Sequence, residues 1–314
     1  MTPATLNALR VLVVGGLNVD YQISAEREPV DDACSLADRF AIASGGHAGN
    51  CAVALSRLGA RVWIGGAVGN DEAGELVERE LAAAAVDTSH LVRLRGQQTG
   101  RVVIPAFSTR RYMLMFRGAN DADADALGVD TYPLADFDAV VVCDPSQSAF
   151  EALLRRCRTF ERGRLLLSPG GLHPARALAA ESCPGVKSVV LNEVEFKAAF
   201  GSTAARRTLA SLLTQGVEVV RTEGARGATV LAESSETSAP GRPVDCVDAT
   251  GAGDAFVAGW VVGSQFFAQR SQRLRFANAV AGLSTRGYGA RAGLPSLDEV
   301  MLHVRDRSEA RAVQ

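Results

Sequence analysis

Lysine is nearly missing from this 314-residue chain: apart from Lys187 and Lys197, its 33 basic residues are all arginine. Neither lysine sits in a GxxxxGK[ST] loop or a VAIK-like strand, which excludes the P-loop and protein-kinase routes to phosphate chemistry. No apolar run approaches the roughly 18 residues of a spanning helix. Met1 to Arg10 show no charged segment followed by an apolar one, so a secretory signal is not expected. A formal charge of −2 leaves no basic footprint for nucleic acid and no polybasic membrane patch. The six cysteines (Cys34, Cys51, Cys143, Cys157, Cys183, Cys246) form no CxxC and no ligand-like spacing with the four histidines. Buried free thiols in a reducing cytoplasm fit them better than disulfides or zinc.

What is present is a soluble-type composition, 47% hydrophobic and 22% charged, on a chain long enough to bury a core. Arg10–Gly16 reads as a buried strand ending in a glycine turn, and 62–68 as the next. From Phe137 the rhythm is regular: strands at 139–143, 164–167, 188–191, 218–222 and 228–232 alternate with helices near 148–161, 193–200 and 203–215. That alternation predicts an α/β fold with a doubly wound, mainly parallel sheet and helices on both faces. Segments 19–24, 40–44, 99–106 and 111–116 read as short strands outside the rhythm.

Ligands of such sheets bind beyond the carboxyl ends of strands, and five motifs fall there. Asp248-Ala249-Thr250-Gly251-Ala252-Gly253-Asp254 follows a β-like Val244–Val247 and opens an apolar helix. Its glycines expose successive N–H groups at a helix start, a natural anion site. Asp254 would repel a phosphate there unless it takes a proton from the group attacking that phosphate; otherwise it is a plain N-cap. Gly45-Gly46-His47-Ala48-Gly49-Asn50 opens another helix, where Asn50 can donate to and accept from hydroxyls; alone, it is a tight strand-to-helix turn. Asp20 after the first strand can accept two hydroxyl hydrogen bonds, or be a solvated turn residue. Asn192 and Glu195 lie three apart in an opening turn; Glu195 suits a hydrated Mg²⁺, or merely favours the helix dipole. Thr222-Glu223-Gly224-Ala225-Arg226-Gly227 is a glycine-bounded loop fit for a nucleotide or for a hairpin turn.

In this order, with Val68-Gly69-Asn70-Asp71-x-x-Gly74 and Thr99-Gly100 between them, the motifs resemble the PfkB/ribokinase-type carbohydrate kinases over roughly residues 11–297. Ala249 departs from the threonine more usual there. The resemblance implies a single ribokinase-like domain over 1–314, with a small β-lid from about 17–43 and 97–117 through which members often form homodimers. It implies ATP-dependent, Mg²⁺-requiring transfer of the γ-phosphate to a hydroxymethyl group of a small sugar. Asp254 matches the base, and the amides of Gly251, Ala252, Gly253 and Asp254 the anion hole. Asp20, Gly45, Gly46 and Asn50 match sugar contacts. Asn192 and Glu195 match the phosphate–Mg²⁺ environment, Thr222, Gly224, Gly227 and Asn278 the nucleotide site. Asp248 and Thr250 match a monovalent-cation (K⁺) loop; His47 and Glu223 match no fixed role.

Three other readings of the same residues compete with this one. A nucleoside kinase on the same scaffold would sandwich its base with lid residues such as Tyr21, Phe107, Tyr112, Met113 and Phe116. A dinucleotide-dependent oxidoreductase is disfavoured because Gly251-x-Gly253 lacks the third glycine and lies near the C-terminus. A sugar-binding regulator would have no use for Asp254.

Overall fold

Strand β1 (Arg10–Gly15) alternates between two cores, as a strand covered on both faces must. Val11 and Val13 face a cluster containing Leu55, Phe256 and Val280, while Leu12 and Val14 face another containing Phe137, Leu153 and Leu167. The computed structural model describes residues 9–31, 33–108, 110–158, 164–170 and 185–310. Cys183, expected helical residues 159–161 and the last four residues lie outside them, as do residues 1–8.

Among the described residues the remaining strands are β2 (Asn18–Ala25), β3 (Arg39–Gly45), β4 (Arg61–Gly69), β5 (Val86–Leu94), β6 (Gly100–Phe107), β7 (Leu114–Phe116) and β8 (Ala139–Cys143). They continue with β9 (Arg164–Ser168), β10 (Val186–Asn192), β11 (Glu218–Thr222), β12 (Gly227–Ala232) and β13 (Ser235–Pro240). Nine form one sheet in the order β13-β12-β11-β10-β9-β8-β1-β4-β5. Every pair from β11 to β5 is parallel, and the two pairs at the β13 end are antiparallel. The chain winds outward from β1 through β4 and β5, then restarts at β8 on the other side. The crevice between β1 and β8 is therefore the switch point where such sheets bind ligands. Gly15 permits this closeness, since a Cβ there would strike the Cys143 carbonyl.

The second sheet, β3-β2-β6-β7, is built from the segments that broke the βα rhythm. Its root is clamped to the large sheet by side chains. Asn120 accepts from the Leu17 amide at 2.8 Å and donates to Asn18 Oδ1 at 2.7 Å. Asp71 accepts from the Thr99 amide at 3.0 Å, and the Thr99 hydroxyl accepts from the Gly69 amide at 2.9 Å.

Three local expectations need correction. Val244–Val247 is irregular chain rather than strand: Pro243 removes a ladder donor, and the Val247 and Asp248 amides both donate to the Thr285 carbonyl. β5 and β13 are strands the apolar pattern did not announce. Both lie at sheet edges with solvated faces, where polar sequences such as Ser235–Pro240 suffice.

Candidate active site

Helix Ala252–Phe266 starts where a left-handed residue is compulsory. Gly251 has φ 74°, and a Cβ there would strike Ala290. A helix start leaves its first amides without intrahelical partners, but not all of them are free here. The Ala252 amide donates to the Ala249 carbonyl at 3.2 Å, so it is not the open donor the sequence suggested. Gly253 is exposed, and a Cβ on it would meet nothing within 4 Å. The open part of this turn is therefore at Gly253 and Asp254.

Asp254 itself is buried, at 6% exposure, and both its oxygens are held. His47 Nδ1 lies 2.8 Å from Oδ1, and Asn50 Nδ2 donates to Oδ2 at 2.9 Å. These two residues come from the helix His47–Arg57, which begins beyond the Gly45-Gly46 turn. The Asp254 carboxylate pushes the His47 pKa up to about 10 against the opposing effect of burial, so the ring is an imidazolium at neutral pH. The His47 side chain keeps 42% of its surface in solvent, which screens the pair and limits its worth to stability.

A second layer orients Asn50. Arg291, from the short helix Gly289–Ala292, donates through Nε to Asn50 Oδ1 at 3.0 Å and through Nη2 to the Gly45 carbonyl at 3.3 Å. It also donates to Ser44 Oγ, which in turn donates to Glu80 Oε2 at 2.7 Å. With Oδ1 held by Arg291, the Asn50 amide is fixed to point its N–H at Asp254.

Asp20 stands at the foot of the small sheet, 7% exposed. Gly45 is required beside it, because a Cβ there would overlap the Asp20 carboxylate. Burial pushes the Asp20 pKa up to about 6; Arg291 opposes that rise and the Asp254 charge adds to it. The coupling places Asp20, Asp254, His47 and Arg291 in one electrostatic neighbourhood.

Asn192 and Glu195 cap each other: the Asn192 amide donates to Glu195 Oε2 at 2.9 Å, and the Glu195 amide to Asn192 Oδ1 at 2.9 Å. This is the capping box of helix Glu193–Phe200, and it leaves the second Glu195 oxygen outside the cap. Burial raises the Glu195 pKa, and the charges of His47, Asp254 and Asp144 register there too, so it belongs to the same crevice. Thr222 ends β11 directly beside Asn192. Gly224 (φ 59°) opens a 3₁₀ turn, and Gly227 (φ 107°) crosses so near the Ala239 carbonyl that no Cβ fits. Asn278 is placed differently from expectation. It is 6% exposed and donates to the carbonyls of Ala239 (2.9 Å) and Pro240 (3.2 Å), so its amide N–H groups hold the end of β13.

Asp248 Oδ1 accepts from the Thr250 amide at 2.9 Å and hydroxyl at 2.6 Å, and Oδ2 from the Gly289 amide at 2.9 Å. Arg111, reaching from the small sheet, donates to Thr250 Oγ1 at 2.7 Å and lies 3.6 Å from Asp248 Oδ1. Burial pushes the Asp248 pKa up, but these hydrogen bonds and the guanidinium outweigh it, for a net shift downward. At the switch point Arg117 reaches Asp144 Oδ2 at 3.0 Å.

The crevice thus gathers a held carboxylate, open helix-start amides, a second carboxylate packed against a glycine turn, and a third carboxylate at a neighbouring strand end. Residues 8–297 match the family model described as pfkB family carbohydrate kinase. The chain belongs to that family. Family members are phosphotransferases, and this one is a carbohydrate kinase. It is 28% identical to the ribokinase of Bacillus subtilis (strain 168) over 92% of this chain and 97% of that one. It is also 28% identical to the ATP-dependent ribose-1-phosphate kinase of Halopiger xanaduensis, over 95% and 99%. The solved structure of Arabidopsis thaliana ribokinase, complexed with ribose and ATP, superposes with a TM-score of 0.77 at 21% identity, covering 95% and 99% of the two chains. That likeness establishes the fold.

Reading the sequence missed His47, Arg291, Arg111, Arg117 and Asp144 as site residues. His47 stood in plain view within a recognised motif, but nothing local named its partner, 207 positions away. The four others carried no signal, since arginine is everywhere in this chain and Asp144 follows an ordinary strand.

Proposed function

We propose that this carbohydrate kinase transfers the γ-phosphate of ATP to a hydroxymethyl group of a small sugar, with Asp254 as the general base. The observation that carries this reading is the Asp254 carboxylate, fixed by His47 and Asn50 at the start of a helix whose next open face is Gly253. The sugar hydroxyl oxygen attacks the γ-phosphorus while the bond to the β-phosphate oxygen breaks, ADP departs, and the hydroxyl proton passes to Asp254. Such a transfer relies on positioning and electrostatics more than on covalent chemistry. The amides of Gly253 and Asp254, with the Gly251 turn, stabilise charge on the transferring group. Asn192, Thr222, Gly224 and Gly227 frame the nucleotide, and Asn278 acts through the segment it holds. Mg²⁺ keeps most of its waters and needs one carboxylate beside the substrate phosphates; the oxygen of Glu195 outside its cap fits that requirement. The ion would neutralise phosphate charge there.

Asp20, Gly45, Gly46 and Asn50 are the sugar subsite in this reading. Asp20→Ala and Asn50→Ala each weaken sugar binding by about 1–3 kcal/mol, because buried hydroxyls lose partners, while nucleotide binding is unchanged; Asn50→Ala also frees Asp254 Oδ2 and so lowers kcat. Titration calorimetry checks both; loss of nucleotide affinity instead would mean the subsites are exchanged. The same carboxylate sets a pH dependence. Asp20 is ionised above a pKa of about 6 and accepts fewer hydroxyls once protonated, so the sugar KM rises as pH falls through that value.

A monovalent cation at Asp248 and Thr250 would have to share that corner with Arg111. Asp248 Oδ1 accepts two hydrogen bonds and faces the Arg111 guanidinium at 3.6 Å, while Oδ2 accepts one from the Gly289 amide, so the carboxylate is already charge-paired and no step is derived through K⁺. Arg111 supplies the positive charge that orders this loop. Turnover is expected to be equal in K⁺ and in a bulky organic cation at matched ionic strength. Strong K⁺ stimulation of the wild type would refute this assignment.

The small sheet acts as a lid over the sugar and as a dimer interface. Its outer face carries Ile23, Phe40, Ile42, Val103, Leu114 and Phe116 in adjacent register rows, each at least 38% exposed. A second copy would cover this patch, which is larger and more contiguous than scattered surface apolars. Sedimentation should show a dimer that Ile42→Glu converts to monomers; a monomeric wild type at micromolar concentration would dismiss the interface.

A further inference from the structure

The inner face of the small sheet continues beyond Asp20 into a cleft of about 420 Å³ that the sugar subsite does not use. By strand alternation Asp20, Gln22 and Ser24 share one face of β2, and register sets Ala41 and Ile104 beside Gln22, then Arg39 and Ala106 beside Ser24. All of these from Gln22 onward line the cleft, together with Arg110, Arg111 and Tyr288. Two residues of strand advance about 7 Å, so the cleft begins roughly one sugar length from Asp20.

Its charge is lopsided. Three arginines face a single carboxylate, Asp248, in a chain whose overall charge is −2. Two of the guanidinium groups are held in place before any ligand arrives. Arg39 lies 3.8 Å over the Tyr288 ring, and Arg111 is anchored on Thr250 Oγ1. Arg110 also pairs with Glu28 at 3.7 Å, outside the cleft lining. Arg111 is near enough to Asp20 to stabilise its charge, which joins this cleft to the sugar subsite. Preorganised guanidiniums are suited to carboxylate and phosphate oxygens, which they bind in pairs of parallel hydrogen bonds. The aromatic alternative has less to offer: of Tyr21, Phe107, Tyr112, Met113 and Phe116, Phe107 lines the cleft, and Phe116 lies in the outer rows.

Taking the kinase reading above as given, we propose that the substrate carries an anionic group, a phosphate ester or a carboxylate, at the end remote from the hydroxyl offered to Asp254, and that Arg39, Arg110 and Arg111 receive it. Ribose and fructose serve as neutral probes, ribose 1-phosphate and fructose 1-phosphate as esters, and 2-keto-3-deoxygluconate as the sugar acid. The kcat/KM of one anionic class should exceed that of the neutral sugars by roughly 10- to 100-fold, the range for charged hydrogen bonds. Arg39→Gln and Arg110→Gln should collapse that ratio, whereas a purely structural role would lower both rates together. A neutral sugar turned over as well as every anionic probe overturns the proposal, as does a ratio indifferent to both substitutions. Calorimetry without nucleotide separates this claim from the kinase reading. Anionic sugars that bind without being phosphorylated would sink the kinase assignment alone, and an anionic panel that neither binds nor reacts sinks this one.

Discussion

Asp254→Asn is expected to lower kcat by roughly 10²- to 10⁴-fold, the range for loss of a general base, with the KM for ATP nearly unchanged. Asparagine preserves the shape and still meets Asn50, but it cannot take the hydroxyl proton. It also removes the charge that holds His47 as an imidazolium, so the His47 pKa should fall toward its ordinary 6.5, a change NMR titration reads directly. A variant retaining more than about a third of wild-type kcat, with chemistry still rate-limiting, would mean the base is elsewhere.

The second large effect lies away from the reacting atoms. Arg291 is tied to Asn50, Gly45, Ser44 and, at 3.7 Å, to Glu80. Arg291→Ala leaves the Asn50 carbonyl and the Ser44–Glu80 pair short of a donor in a buried setting. We expect a loss of about 2–4 kcal/mol in stability by denaturant unfolding, from orphaned polar groups. Asn50 would be free to flip its amide, so kcat should fall as well. Arg291→Lys restores the charge and a single donor nitrogen but not the planar fork that reaches three acceptors, and should recover stability more than turnover. Unaltered stability and turnover in the alanine variant would show the network to be incidental.

The parallel sheet was legible because its central strands are buried on both faces and read as short apolar runs, such as Ala139–Cys143, bounded by turn residues. Edge strands were not. β5 and β13 carry polar residues on solvated faces, and Val244–Val247 is apolar without being in a ladder. In the site, the glycine turns and Asp254 announced themselves because helix-start anion chemistry requires those residue types at that spacing. The partners that position them did not. His47 and Asp254 meet only when the helices at 47 and 252 pack side by side, and Arg291 enters from a four-residue helix. Asn278 illustrates the converse: a residue in a suggestive place whose buried amide serves the backbone.

The most direct measurement is sugar-dependent ADP release across a panel of pentoses, hexoses, their phosphates, sugar acids and nucleosides, wild type beside Asp254→Asn. The expected result is release that requires a hydroxymethyl-bearing sugar, phosphate appearing on that hydroxyl, and near-complete loss of both in the variant. Release that ignores the sugar, or that survives the loss of the Asp254 carboxylate, would contradict it.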